Sequence, residues 1–140
     1  MKIKAIVCDL DGTLAPSKSS LQPEMAELIV SILAKYKMAV ITGGSYEQFN
    51  KQFISNLPST DLIKNLYLFP TNGSSCYVSD DSKGFKMLYS ENLSQNEKDE
   101  IFNALNKVIS ESNLDLSNPF GEIIEDRGSQ ISFSGRGQLA

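Results

Sequence analysis

The spacing of apolar residues changes repeatedly along this chain, and each change marks a different element. Ile3 to Cys8 is a short apolar run cut off by Asp9-Leu10-Asp11-Gly12-Thr13. A run this short between turn signals predicts a parallel strand buried on both faces. From Pro23 the period lengthens: Met25, Leu28, Ile29, Ile32 and Leu33 recur at helical spacing. Pro23 suits the first position of that helix, over residues 23–35. Met38 to Thr42 is a second apolar run, ended by Gly43-Gly44. Ser45 with Gln48 makes a capping box for a helix that turns Phe49, Phe53 and Ile54 to one side. Leu66 to Phe69 is a third strand, stopped by Pro70. Strand, helix, strand, helix, strand predicts right-handed crossovers and a parallel sheet with helices on both faces.

The character changes after Asn72-Gly73. Residues 74–79 and 85–89, split by the polar stretch 80–84, predict a hairpin. Ser94 and Glu97 make a second capping box, and the helix behind it places Ile101, Ala104, Leu105, Val108 and Ile109 on one stripe. Residues 122–126 and 130–134 flank Arg127-Gly128-Ser129 and predict a second hairpin. Antiparallel strands with one helix are a different layer from what precedes them. The expected organisation is therefore an α/β core segment over 1–72 and an α+β subdomain over 73–140.

Composition narrows the chemistry. The 140 residues are 41% hydrophobic with a net charge of −4, which predicts a folded chain rather than a disordered one. No run of 18 apolar residues exists, so no membrane span is expected. The start, Met1-Lys2-Ile3-Lys4, lacks the apolar stretch of a secretory signal. Cys8 and Cys76 show no CxxC spacing and suit a reducing, cytoplasmic setting. The chain has no histidine, which removes Ser-His-Asp and Cys-His catalysis and histidine-ligated metals. An isoelectric point near 4.8, without a basic block, excludes a nucleic-acid partner. Carboxylates, hydroxyls, lysines and a hard metal remain.

The strongest chemical signal is Asp9-Leu10-Asp11-Gly12-Thr13-Leu14 directly after the first strand. Reactive groups of open α/β sheets collect at the carboxyl ends of the strands. Two carboxylates one residue apart there can act on one phosphoryl group, one as nucleophile and the other as acid and base. Gly12 permits the tight turn that brings backbone amides to the phosphate.

With these residues the chain resembles the haloacid dehalogenase superfamily of phosphotransferases. Asp9-Leu10-Asp11-Gly12-Thr13 matches its first motif, implying Asp9 as nucleophile and Asp11 as acid/base. The resemblance also implies Mg²⁺ held by the Asp9 carboxylate and the Asp11 backbone carbonyl. Thr42 matches the second motif, a hydroxyl on the phosphoryl oxygen, with Gly43 and Gly44 adding backbone donors. Val40 to Ser45, Leu68 to Gly73, and Ile124 to Arg127 with Gly135-Arg136 look like the phosphomannomutases and related sugar-phosphate phosphatases. In that group an α/β cap follows the second motif and its arginines bind the distal phosphate, which implies Arg136. A basic residue after the first motif also contacts substrate there, which points to Lys18.

The implied activity is Mg²⁺-dependent transfer through an aspartyl-phosphate on a phosphorylated small molecule such as a sugar phosphate. Phosphatase, phosphomutase and an inactive phosphate- and metal-binding module all stay open, with phosphatase favoured by the divergent arginine spacing. The family's third motif, a lysine, and its fourth, an acidic pair, should follow the cap and do not precede Ala140. Half a catalytic core with most of a cap is therefore expected. Such a piece would be inactive alone and would self-associate through the Ile3–Cys8 strand. The alternative has Lys64 or Lys83 with Asp80-Asp81 standing in, as in capless members.

Overall fold

Connections long enough to hold a helix let successive strands run parallel, whereas short polar turns force them antiparallel. Both kinds occur in the computed structural model, which describes residues 3–80 and 84–140. Five strands form one sheet in sequence order: β1 (Ala5–Asp9), β2 (Lys37–Ile41), β3 (Leu66–Phe69), β4 (Ser75–Ser79) and β5 (Phe85–Ser90). The first three are parallel, with Cys8 opposite Val40 and Val40 opposite Leu68. β4 and β5 are added antiparallel. The crossover helices are α1 (Pro23–Leu33) and α2 (Tyr46–Gln52).

The sheet differs from the sequence expectation in where its helices lie. Ala26, Ile29 and Leu33 of α1 join Phe49 and Phe53 in one buried cluster with Met38, Val40, Leu66 and Leu68. Those four strand residues share one face, because side chains alternate along a strand and the parallel register aligns them. Strands laid down in one direction by right-handed crossovers put every helix on the same side. α1 and α2 therefore lie on one face of the sheet and not on the two faces expected. β1 is an edge strand, and its burial alternates instead of being complete: Ala5, Val7 and Asp9 are exposed while Ile6 and Cys8 are half-buried. Val7, on the face away from α1 and α2, is 69% exposed.

The boundary expected after residue 72 also moves. The 75–90 hairpin forms, but β4 pairs with β3 and so extends the first sheet. The chain divides into the units Met1–Ser90 and Glu91–Ala140. Ser45 and Gln48 make the predicted capping box on α2, a feature worth about 1 kcal/mol. A side chain on Gly44 would lie 2.7 Å from the Gln48 oxygen that closes this box.

In the second unit, α3 (Gln95–Glu111) carries the other predicted capping box, Ser94 with Glu97. β6 (Ile124–Asp126) and β7 (Ile131–Phe133) form a short antiparallel pair. Lys98 of α3 holds Asp126 of β6 at 2.8 Å. The predicted stripe on α3 is only partly covered: Ile101, Leu105 and Ile109 are half-buried, whereas Ala104 and Val108 are exposed. Two three-residue strands offer too little area to cover the full arc. Gly137 has φ +89°, and a Cβ there would collide with the backbone of Phe120. Only glycine fits where the chain folds back on residue 120. Among the described residues, no helix is long and apolar enough to cross a membrane.

Candidate active site

Asp9 is the last residue of β1, and Thr42 is the first after β2. Parallel pairing therefore brings both to the same end of the sheet. The chain leaves β1 through a tight loop in which the Leu10 carbonyl accepts the amides of Thr13, Leu14 and Ala15. Leu10 itself is fully buried and anchors the loop in the core. Gly12 stands at φ +78° with open space where a side chain would project. Its glycine is required by backbone conformation alone. The Gly12 amide donates to the Ala15 carbonyl at 2.7 Å, closing the loop on itself.

This loop presents two carboxylates in different settings. Asp9 is exposed, and its Oδ2 accepts from the Thr13 hydroxyl at 3.4 Å. Asp11 is half-buried and held from two directions. Its Oδ1 accepts the Lys18 backbone amide at 2.9 Å, and its Oδ2 accepts the Thr42 hydroxyl at 3.4 Å. Thr42, 3% exposed, also accepts the Gly44 amide on its Oγ1 at 3.2 Å. One hydroxyl thus links the loop after β1 to the loop after β2. Lys18 reaches this cluster through its main chain, at φ 55°, and its side chain lies exposed.

A third loop joins these two. After Pro70 the backbone takes three successive left-handed residues: Thr71 at φ 48°, Asn72 at 57° and Gly73 at 87°. Asparagine and glycine tolerate this region, but a β-branched threonine does not. Holding Thr71 there costs about 1–3 kcal/mol, and buried hydrogen bonds offset it. The Thr71 amide donates to the Gly44 carbonyl and the Asn72 amide to the Thr42 carbonyl, both at 2.9 Å. The Ser74 hydroxyl lies 2.7 Å from both the carbonyl and the hydroxyl oxygen of Thr71. The sequence marked this loop only through the resemblance of Leu68 to Gly73 to the phosphomannomutase group, with no role given to its residues, although Thr-Asn-Gly after a strand is a left-handed pattern.

Neighbouring titratable groups do not compete for the chemistry. Tyr46 and Tyr77 stack with ring centroids 3.9 Å apart. Burial above all pushes both phenols above their ordinary range; for Tyr46 the neighbouring Tyr77 adds next and then the Glu47 charge, and for Tyr77 the Glu47 charge adds next. Burial also raises the Cys76 thiol, which keeps it protonated and a poor nucleophile.

The remaining predicted residues fall elsewhere. Lys64 precedes β3, at the sheet end opposite Asp9 and Thr42. Asp80 follows β4, which runs antiparallel to β3, so it too lies at that opposite end. Its carboxylate accepts the Gly84 amide at 3.2 Å, as a turn residue does. Strand direction thus removes Lys64 and Asp80 as stand-ins for the third and fourth motifs; Asp81 and Lys83 lie outside the described residues. In the second unit, Arg127 is bonded to Glu125 at 2.7 Å and to Gln138 at 3.3 Å. Arg136 is exposed, and its guanidinium makes no hydrogen bond or ion pair among the described residues.

The donor set fits a hard cation. Asp9 is exposed, and the Asp11 carbonyl accepts no hydrogen bond among the described residues. No group of three or more metal-ligating side chains occurs among them. Mg²⁺ needs none, since it keeps waters and takes one or two carboxylates together with phosphate oxygens.

An α/β sheet with paired aspartates after its first strand and a buried hydroxyl after its second defines the class. The match of residues 6–117 to the haloacid dehalogenase-like hydrolase family shows that the chain belongs to it. A Caenorhabditis elegans protein named a probable phosphomannomutase is 29% identical over 70 residues, covering 49% of this chain and 27% of its own. Among solved structures, Plasmodium falciparum IMP-nucleotidase is similar with a TM-score of 0.65 at 19% identity, over 92% of this chain and 34% of that one. A haloacid dehalogenase-like hydrolase from B. subtilis gives 0.59 at 20% identity, over 76% and 34%. The chain spans about a quarter of the curated relative and a third of these structures.

Proposed function

We propose that this chain carries the nucleophile half of a phosphatase that acts on a phosphorylated small molecule, a sugar phosphate first, through an aspartyl-phosphate. The observation that carries the reading is the Thr42 hydroxyl hydrogen-bonded to Asp11 across the ends of two adjacent parallel strands. An Asp9 carboxylate oxygen attacks phosphorus, and the bond to the leaving oxygen breaks. Asp11 delivers a proton to that oxygen. It then takes one from the water that attacks the phosphoenzyme, releasing inorganic phosphate and the Asp9 carboxylate. Thr42 turns its hydroxyl proton to a phosphoryl oxygen. Mg²⁺, held by the Asp9 carboxylate and the Asp11 carbonyl, would neutralise phosphoryl charge. The Gly43–Gly44 segment lines the same anion, and Lys18 and Arg136 are the cations proposed to meet the rest of the substrate.

Asp9→Asn tests the assignment. In a complete core that also carries the third and fourth motifs, a neutral amide cannot form the acyl phosphate, so hydrolysis of a phosphomonoester with Mg²⁺ should vanish, together with the phosphoryl adduct on the protein seen by mass spectrometry. Turnover within tenfold of the unsubstituted protein would overturn the reading. The phosphomannomutase-like relative favours a second outcome, in which the phosphoryl group passes to a sugar hydroxyl instead of water. Dependence on a sugar bisphosphate would select it.

A further inference from the structure

The loop after β3 has no role in the chemistry derived so far, yet it holds three successive left-handed residues at this end of the sheet. Had the chain continued extended beyond Pro70, Asn72 would have moved away along the strand axis. Three left-handed residues turn it back instead. Its amide is fixed on the Thr42 carbonyl at 2.9 Å, and its neighbour Thr71 is fixed on the Gly44 carbonyl. The Asn72 carboxamide then lies beside Gly43: a Cβ on that glycine would stand 3.5 Å from Oδ1 and 3.9 Å from Nδ2. Asn72 is exposed, and its carboxamide makes no hydrogen bond among the described residues. Left-handed asparagines commonly satisfy their side chains on nearby backbone. This one keeps two donor hydrogens and an acceptor open beside the segment proposed to hold the phosphoryl group.

We propose that Asn72 is a substrate-contacting residue that donates its Nδ2 hydrogen to a phosphoryl oxygen held at Thr42 and Gly43. This rests on the phosphoryl-transfer reading above and adds a third loop to that site. The Thr71–Gly73 turn fixes the carboxamide before substrate arrives, so binding requires no ordering of the donor. The ligand is the phosphate dianion itself, and the contact serves phosphorylated substrates whatever their leaving group.

Two substitutions separate this contact from a structural role. Asn72→Gly keeps the left-handed backbone and removes the carboxamide, so the melting temperature should stay level or rise. Asn72→Asp keeps the shape and sets a negative charge against the anion. Titration of the protein with inorganic phosphate in the presence of Mg²⁺, followed by calorimetry, reads both. A hydrogen bond to a charged group is worth roughly tenfold or more in affinity. The glycine variant should weaken phosphate binding by about that factor, and the aspartate variant should weaken it further. Phosphate bound by the unsubstituted protein and by both variants within twofold would overturn the role of Asn72 alone. If glycine loosens the loop and lowers the melting temperature, the aspartate variant decides by the same criterion. No phosphate binding by the unsubstituted protein would overturn the phosphoryl reading, and this inference with it.

Discussion

Thr42→Val replaces a hydroxyl by a methyl group of nearly the same size at a position 3% exposed. Packing is preserved, so the effect isolates the hydrogen bonds. Two are lost: the Gly44 amide loses its acceptor at 3.2 Å, and Asp11 loses a donor at 3.4 Å. The second is long and on a half-exposed carboxylate, so it contributes the smaller share. The first leaves a partly buried amide unpaired, which costs about 1–2 kcal/mol. In a unit of this size each kcal/mol moves the melting temperature by about 4–8 °C, so the whole change is roughly 5–15 °C. Thr42→Ser keeps the hydroxyl and loses only a methyl group, so it should recover most of this stability. Thermal unfolding followed by circular dichroism measures the shift, and phosphate titration measures the second consequence. Without the hydroxyl, this link between the loops after β1 and β2 and a phosphoryl donor are gone, so phosphate affinity should fall about tenfold. A valine variant that melts and binds phosphate like the unsubstituted protein would refute the linking role of Thr42.

In a complete core, Asp11→Ala should cut kcat on alkyl phosphates by roughly 10²–10⁴ and less on aryl phosphates, whose leaving groups need little protonation; equal losses on both would make Asp11 structural. β1 is an edge strand that exposes Val7, so the chain should self-associate with rising concentration and Val7→Lys should suppress this in sedimentation, while unchanged assembly would rule out the β1 edge. Asp126 is held below the ordinary carboxylate range, first by its hydrogen bond to Lys98 and then by the Gly128 amide. Its stabilisation is therefore present above the unfolded value near pH 4 and is lost as pH falls through the lower folded value. Acid titration by circular dichroism should show Asp126→Asn losing less helix signal than the unsubstituted protein on going from pH 5 to pH 2.

The local elements were legible in the sequence because they depend on local physics. Both capping boxes, Ser45 with Gln48 and Ser94 with Glu97, need only residues three apart. The three short apolar runs and the 75–90 hairpin are set by side-chain period and turn composition. Asp9, Asp11 and Thr42 stood out because each ends or follows such a run, and parallel pairing then brings their loops to one end. Long-range pairing decided the rest. Whether β4 would join β3 or begin a new layer depends on a register between strands, and no local pattern encodes it. The placement of α1 and α2 on one face follows from strand order, and with it the exposure of Val7. Lys64 and Asp80 carry the right chemistry, but strand direction sets them at the wrong end of the sheet. Asn72 was visible as a turn residue, yet its approach to Gly43 depends on hydrogen bonds from its loop to Thr42 and Gly44, nearly thirty residues earlier in the chain. Sequence settled which groups can do chemistry, because that is a property of side chains. Tertiary structure decided which of them meet, because strand order and direction fix the end of the sheet at which each one emerges.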